Sequence, residues 1–185
     1  MTQDNSYSIK SLATASEQEL QAIKTLTPQQ ASKLLYDWRF YARPEQLAPA
    51  GDWRTWLVMA GRGYGKTRMS TEWLRGRVQA GYRRIAIIGR TPADVRDICI
   101  EGESGILACS PPEDRPLYEP TKRRLTWKNG AVALAFSSHE PDQLRGVQFD
   151  TAICDELASW EYARDVWDNL MFGLRLGDDP KVMIT

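Results

Sequence analysis

Residues 60–67 read Ala-Gly-Arg-Gly-Tyr-Gly-Lys-Thr, set between the apolar run Thr55-Trp56-Leu57-Val58-Met59 and a stretch of helical composition over residues 66–80. This octet fits the phosphate-loop pattern G-x-x-x-x-G-K-[ST] everywhere except its first position, where Ala60 replaces glycine by one methyl group. Gly61, Gly63 and Gly65 allow a tight loop whose backbone N–H groups and following helix N-terminus face an anion. Lys66 is then placed to reach the β/γ-phosphate oxygens, and the Thr67 hydroxyl to ligate Mg²⁺. A Gly-rich turn carrying a chance Gly-Lys-Thr is the competing account. The strand before and the amphipathic helix after weigh against it.

Short apolar runs continue from there at strand length: Arg84–Ile88, Thr151–Cys154 and Lys181–Ile184, with helical composition over 66–80 and 161–172. Buried parallel strands covered by helices produce this alternation. Arg124–Trp127 and Ala131–Phe136 flank Lys128-Asn129-Gly130 and read as a hairpin turning at Asn-Gly. Upstream, Ser16 with Glu19 and Thr27-Pro28-Gln29-Gln30 are capping-box patterns that start two helices. The second carries an apolar stripe of Ala31, Leu34, Leu35 and Trp38, and pre-proline Arg43 marks a break. The expected organisation is a helical N-terminal appendage, residues 1–43, followed by an α/β domain over 44–185 that is incomplete at its C-terminal end. There is no internal repeat.

A nucleoside triphosphatase also needs acids at the end of a neighbouring strand. Phe149-Asp150-Thr151-Ala152-Ile153-Cys154-Asp155-Glu156 supplies them, with Asp155 for the Mg²⁺ shell and Glu156 as the general base on the attacking water. An Asp-Glu pair after a strand is by itself equally well a pair of surface acids; its occurrence with the phosphate loop carries the inference. The expected fold class is α/β: a P-loop NTPase of the ASCE type, with a mainly parallel central sheet flanked by helices.

Twenty-four Lys+Arg balance 24 Asp+Glu, which excludes a uniformly basic nucleic-acid coat but leaves local patches at Arg83-Arg84 and Lys122-Arg123-Arg124. Cys99, Cys109 and Cys154 form no CxxC pair and His139 is the single histidine, so no sequence-local zinc site exists. Reduced, partly buried thiols are the favoured reading. No apolar run approaches the roughly 20 residues of a membrane span, and the polar N-terminus lacks a signal-peptide core. A soluble, intracellular protein is expected.

Arg43-Pro44-Glu45-Gln46-Leu47, Asp52-Trp53, Trp56-Leu57, the Arg-bearing phosphate loop Ala60–Arg68, Leu144-Arg145-Gly146 and Cys154-Asp155-Glu156-Leu157-Ala158 together resemble the ATPase domain of the large terminase subunit of tailed bacteriophages, over about residues 40–185. That resemblance implies an ATP-driven motor, using Mg²⁺, that translocates double-stranded DNA into a procapsid in the cytoplasm of an infected bacterium. It implies a homo-oligomeric, pentameric ring on the portal protein, guided by a small terminase subunit; an isolated fragment could be monomeric. It also implies that Arg62 touches the γ-phosphate, that Arg145 reaches the nucleotide of a neighbouring subunit, and that Gln46 contacts adenine. Read as bare residues, Arg145 is equally a surface ion-pair partner. Trp53 and Tyr64 are candidates to flank the base, with aromatic core packing the stronger reading for Trp53.

In the family a Thr/Ser coupling motif and an RNase H-like nuclease domain follow the strand that here ends at Thr185. The chain is therefore expected to be a fragment without DNA cleavage. A helicase-like P-loop ATPase and a non-hydrolysing nucleotide-binding docking module are the alternatives. Arg83, Arg84, Lys122, Arg123 and Arg124 are the candidates for DNA phosphates.

Overall fold

The computed structural model describes Glu17, Gln21 and residues 24–185. The chain divides into two compact units, Met1–Ala48 and Pro49–Thr185. In the first, helix α1 (Pro28–Leu35) begins at the expected capping box: Gln30 N–H donates to Thr27 Oγ1 at 3.2 Å and Thr27 N–H donates to Gln30 Oε1 at 2.9 Å. The expected stripe is corrected. The helix stops at Leu35, and Trp38 opens a separate turn, α2 (Trp38–Tyr41), because Asp37 Oδ1 caps it by accepting from Arg39 N–H at 3.0 Å. No residue of α1 is buried. The capping pattern at Ser16 and Glu19 lies outside the described residues.

The second unit is built on one sheet. Its strands are β1 (Thr55–Leu57), β2 (Arg84–Gly89), β3 (Leu117–Glu119), β4 (Arg124–Thr126), β5 (Val132–Ser137), β6 (Thr151–Cys154) and β7 (Lys181–Ile184), in the order β1-β7-β6-β2-β5-β4-β3. The first five in that order run parallel, and β5-β4-β3 is an antiparallel meander that contains the expected Asn129-Gly130 hairpin. Gly130 takes φ +85° in that turn. Helix α3 (Lys66–Gln79) follows the phosphate loop. A short α4 (Pro92–Asp94) runs into a π-helical turn, Val95–Ile100, and α5 (Ile106–Cys109) and α6 (Ala163–Gly173) complete the helices of this unit. This is the P-loop ASCE architecture, with the strand that carries the acids separated from the phosphate-loop strand by one intervening strand, β7.

The core is a cluster that includes Ile88, Phe136, Leu144, Phe149, Trp160 and Leu170, with Phe136 and Phe149 packed edge to face at 5.6 Å. The β1 run was expected to be buried. Instead β1 is a sheet edge, paired with β7 alone among the described strands, and Leu57 and Met59 are 55% and 87% exposed. Trp53 packs against Trp56 and Trp73 at 6.0 and 5.9 Å with the Lys181 ammonium over its ring, which is the aromatic-packing outcome.

Register decides where the chemistry sits. Leu57 pairs with Ile184, Ile184 with Cys154, and Cys154 with Ile88, so β1, β7, β6 and β2 end in one row. The other end of the sheet is tied by Arg77 of α3. Its buried guanidinium donates to Thr151 Oγ1 at 3.2 Å, to the Asp150 carbonyl at 3.1 Å and to Asp179 Oδ2 at 2.8 Å, and it stacks on Tyr82 at 3.2 Å. Arg77→Met keeps most of the stem and leaves those acceptors unpaired. The expected cost is about 3 kcal/mol, read as a Tm lowered by roughly 6–12 °C in a thermal melt.

Candidate nucleotide site

Because the four strands end together, the segments leaving them converge. The phosphate loop follows β1, Thr185 follows β7, Asp155-Glu156 follows β6, and Arg90-Thr91 follows β2. A cavity of about 630 Å³ opens there, lined by Arg62–Arg68 on one side and by Asp155 and Glu156 on another. Gly63 and Gly65 hold φ +73° and +87°, the left-handed region the loop needs. Gly65 is the N-cap of α3 and offers no side-chain cap, so the first-turn N–H groups of this 14-residue helix are left for an anion. Lys66 Nζ donates to the carbonyls of Ala60 at 3.0 Å and Gly61 at 3.3 Å, which folds the loop around its own ammonium.

Asp155 is 8% exposed and held from several directions. Its N–H donates to the Ile88 carbonyl at 2.8 Å, and Thr185 Oγ1 donates to its Oδ1 at 3.1 Å. Burial pushes its carboxyl above the usual range; the Thr185 hydrogen bond pulls it back, and the neighbouring Glu156 charge raises it. Glu156, by contrast, is exposed and sits at φ 49°, ψ 49°, left-handed backbone that a glutamate adopts only when its surroundings impose it. Ser159 N–H and Oγ both donate to the Glu156 carbonyl, at 2.8 and 2.7 Å, and Trp160 Nε1 donates to that of Asp155 at 2.9 Å. The tight turn thereby aims two adjacent acids differently, one inward and one toward solvent in the cavity.

Thr67 and Asp155 offer a hydroxyl and a carboxylate to one cavity, hard oxygen donors that fit Mg²⁺, an ion that keeps several waters and shares its shell with phosphates. Among the described residues no group of three or more His, Cys, Asp or Glu could hold a metal without such shared ligands. The three cysteines are unpaired and buried. Cys99 lies against Asp155, and burial pushes its thiol well up; burial likewise pushes Cys109 up to about 11.

Of the residues singled out in the sequence, Arg62, Gly63, Tyr64, Gly65, Lys66, Thr67, Asp155 and Glu156 line the cavity. Ala60 and Gly61 are not among the lining residues; their carbonyls accept from Lys66, which is. Gln46 belongs to the first unit, where its Oε1 accepts from Arg43 N–H at 3.0 Å. Arg145 is not among the lining residues. Leu144 is fully buried, Gly146 takes φ +79°, and between them the Arg145 side chain stands 70% exposed, paired with Asp142 at 3.1 Å.

Sequence reasoning missed the far wall, made by Asp97, Ile98 and Gly102–Ser104 after β2. A signal for it existed: Thr91-Pro92-Ala93-Asp94 is a capped helix start, with Asp94 N–H donating to Thr91 Oγ1 at 3.0 Å. The wall is closely fitted, since a Cβ on Gly102 would meet the Asp97 and Ile98 carbonyls at 2.7 and 2.8 Å.

Comparison with known proteins agrees with this architecture. The large terminase of a thermophilic bacteriophage, solved in complex with ADP, is similar in fold at 14% identity and a TM-score of 0.58, over 83% of this chain and 37% of that one. The HK97 bacteriophage large terminase is similar at 15% identity and a TM-score of 0.50, over 86% of this chain and 32% of that one. This chain thus spans about a third of the length of either. No curated protein sequence matches it. Residues 57–185, from the end of β1 through β7, match the family described as terminase large subunit, T4likevirus-type, N-terminal, and the chain belongs to that family.

Proposed function

We propose that this chain is the ATP-hydrolysing motor domain of a viral DNA-packaging terminase. The observation that carries the reading is the single cavity in which Lys66 and Thr67 of the phosphate loop face Asp155 and Glu156. The uncapped helix N-terminus and Lys66 take the phosphates, with Arg62 on the same loop set toward the terminal phosphoryl group. Glu156 takes the proton of the attacking water. Thr67 and Asp155 are the residues that would hold Mg²⁺, which would supply neutralisation of the phosphate charge. A related large terminase was solved with ADP, which supports a nucleotide as the ligand.

In the whole protein, the domain works on double-stranded DNA with a portal protein and a small terminase subunit, as a ring in the host cytoplasm. Among the described residues no helix is long and apolar enough to cross a membrane. Family membership favours this reading over a helicase-like ATPase.

Lys66→Ala tests the site. Loss of a charged donor to the phosphates is expected to weaken binding of a fluorescent ATP analogue by roughly 10–100-fold, with the fold intact by circular dichroism. Unchanged nucleotide affinity would remove the assignment.

A further inference from the structure

The sequence offered five cations for DNA without separating them, and the structure does. Arg83 donates to the Asn129 carbonyl and, with Arg84, stands at the start of β2, away from the strand ends that form the nucleotide site. Lys122 and Arg124 both close on Glu119, at 2.6 and 2.7 Å. Arg123, between them, is held more loosely, its Nη1 donating to Gln143 Oε1 at 3.4 Å with its nearest acid, Glu140, at 4.0 Å, and it lines a second cavity of about 430 Å³. Arg96, Tyr118, Pro120 and Phe136 line that cavity with it.

Three features make this cavity more than a gap. Arg123 and Glu156 are the two non-glycine residues at positive φ among those described, and Arg123 is held at φ 50°, ψ 41° by Arg123 N–H donating to the Pro120 carbonyl and Ala135 N–H donating to its own, at 3.0 and 2.9 Å. Left-handed backbone is disfavoured at an arginine, and here the meander imposes it at a residue that lines the cavity. Opposite, Arg96 engages Asp97 through Nε and Nη2, at 2.6 and 3.1 Å, which leaves its Nη1 edge for a ligand. Both guanidinium side chains are about half exposed, 50% and 42%, and can be reached by a strand lying across the surface. Finally, Arg96 and Asp97 are consecutive on the π-helical turn, Arg96 lining the second cavity and Asp97 the nucleotide cavity, so one turn of chain is the wall between the two.

We infer that this cavity is a contact site for the sugar-phosphate backbone of double-stranded DNA, with a phosphate between Arg96 and Arg123 and the adjoining sugar against Tyr118. Two planar, multiply donating cations suit a phosphodiester, and an aromatic ring beside them suits the apolar face of a deoxyribose. The inference rests on the motor reading and names the surface by which that motor holds its DNA.

The test is fluorescence anisotropy of a labelled duplex with the 185-residue chain over a salt series. The variants are Arg123→Gly, Arg96→Ala and, as a control on the same meander, Lys122→Ala. Glycine at 123 accepts the left-handed backbone, so Arg123→Gly is expected to melt no lower than the parent. Arg123→Gly and Arg96→Ala are each expected to weaken duplex binding about 10-fold and to reduce the slope of log affinity against log salt by about one, while Lys122→Ala stays within about twofold of the parent. All three keep the parent's affinity for a fluorescent ATP analogue. Duplex affinity and salt slope unchanged in both arginine variants, with the parent binding DNA, would overturn this inference and leave the motor reading standing. A parent that binds the ATP analogue but no duplex would overturn both. Two analogue sites on the parent and one on Arg123→Gly would assign the cavity to a free nucleotide and overturn the DNA site alone.

Discussion

Glu156→Gln is expected to keep ATP and Mg²⁺ bound and to lower the hydrolysis rate by about 10²–10⁴-fold, because it removes a base and little else. The change is close to isosteric. The contacts that fix the backbone at residue 156 come from Ser159 and Thr185 to main-chain atoms and survive it. Asp155→Ala should act on the other term. It deletes the buried carboxylate that accepts from Thr185 and opens on Thr67, so Mg²⁺-dependent nucleotide affinity falls while any residual turnover keeps its base. Calorimetric titration of ATP with and without Mg²⁺, beside a phosphate-release assay, separates the two. Equal loss of binding in both variants would contradict the division of roles. Full hydrolysis by Glu156→Gln would remove Glu156 as the base, and a parent chain that binds ATP without turning it over would return the site to the non-hydrolysing docking module.

What could be read in the sequence was what is encoded locally. The phosphate loop needs glycine at particular left-handed positions and a lysine at the helix start, and residues 61–67 state both requirements within a few residues. Asp155-Glu156 was legible for the same reason, at the end of a four-residue apolar strand, β6. Sheet order was not. Whether β1 is central or at an edge depends on which strands lie beside it, and Leu57 and Met59 look like core residues until β7 is found as the one partner of β1 among the described strands. The π-helical turn was illegible because its i→i+5 hydrogen bonding, as from Glu101 N–H to the Arg96 carbonyl at 2.8 Å, has no period that apolar spacing reports. Trp38 fits the spacing of α1, and only Asp37, a cap in mid-stripe, signalled the break.

Arg145 is expected to act on the phosphate site of a neighbouring copy. Within its own chain it lies outside the cavity lining, with its guanidinium exposed and engaged only at the surface by Asp142, while buried Leu144 anchors the turn that projects it. An exposed ion pair of this kind contributes little and is readily exchanged for a phosphate. Arginines that reach a transferring phosphoryl group from another subunit are worth roughly 10³–10⁵ in rate where GTPases have been measured. Dilute chain should therefore hydrolyse ATP slowly, and specific activity should climb with protein concentration as copies meet. Arg145→Ala is expected to lose that climb while still binding ATP, since its phosphate loop is intact. Mixing Arg145→Ala with Lys66→Ala then sets an intact loop against an intact arginine at one of the two mixed interfaces. Under conditions where light scattering shows assembly, activity in the mixture above both parents is the expected result. A mixture no more active than its parents would mean that Arg145 serves its own subunit, through Asp142 and the turn it stabilises.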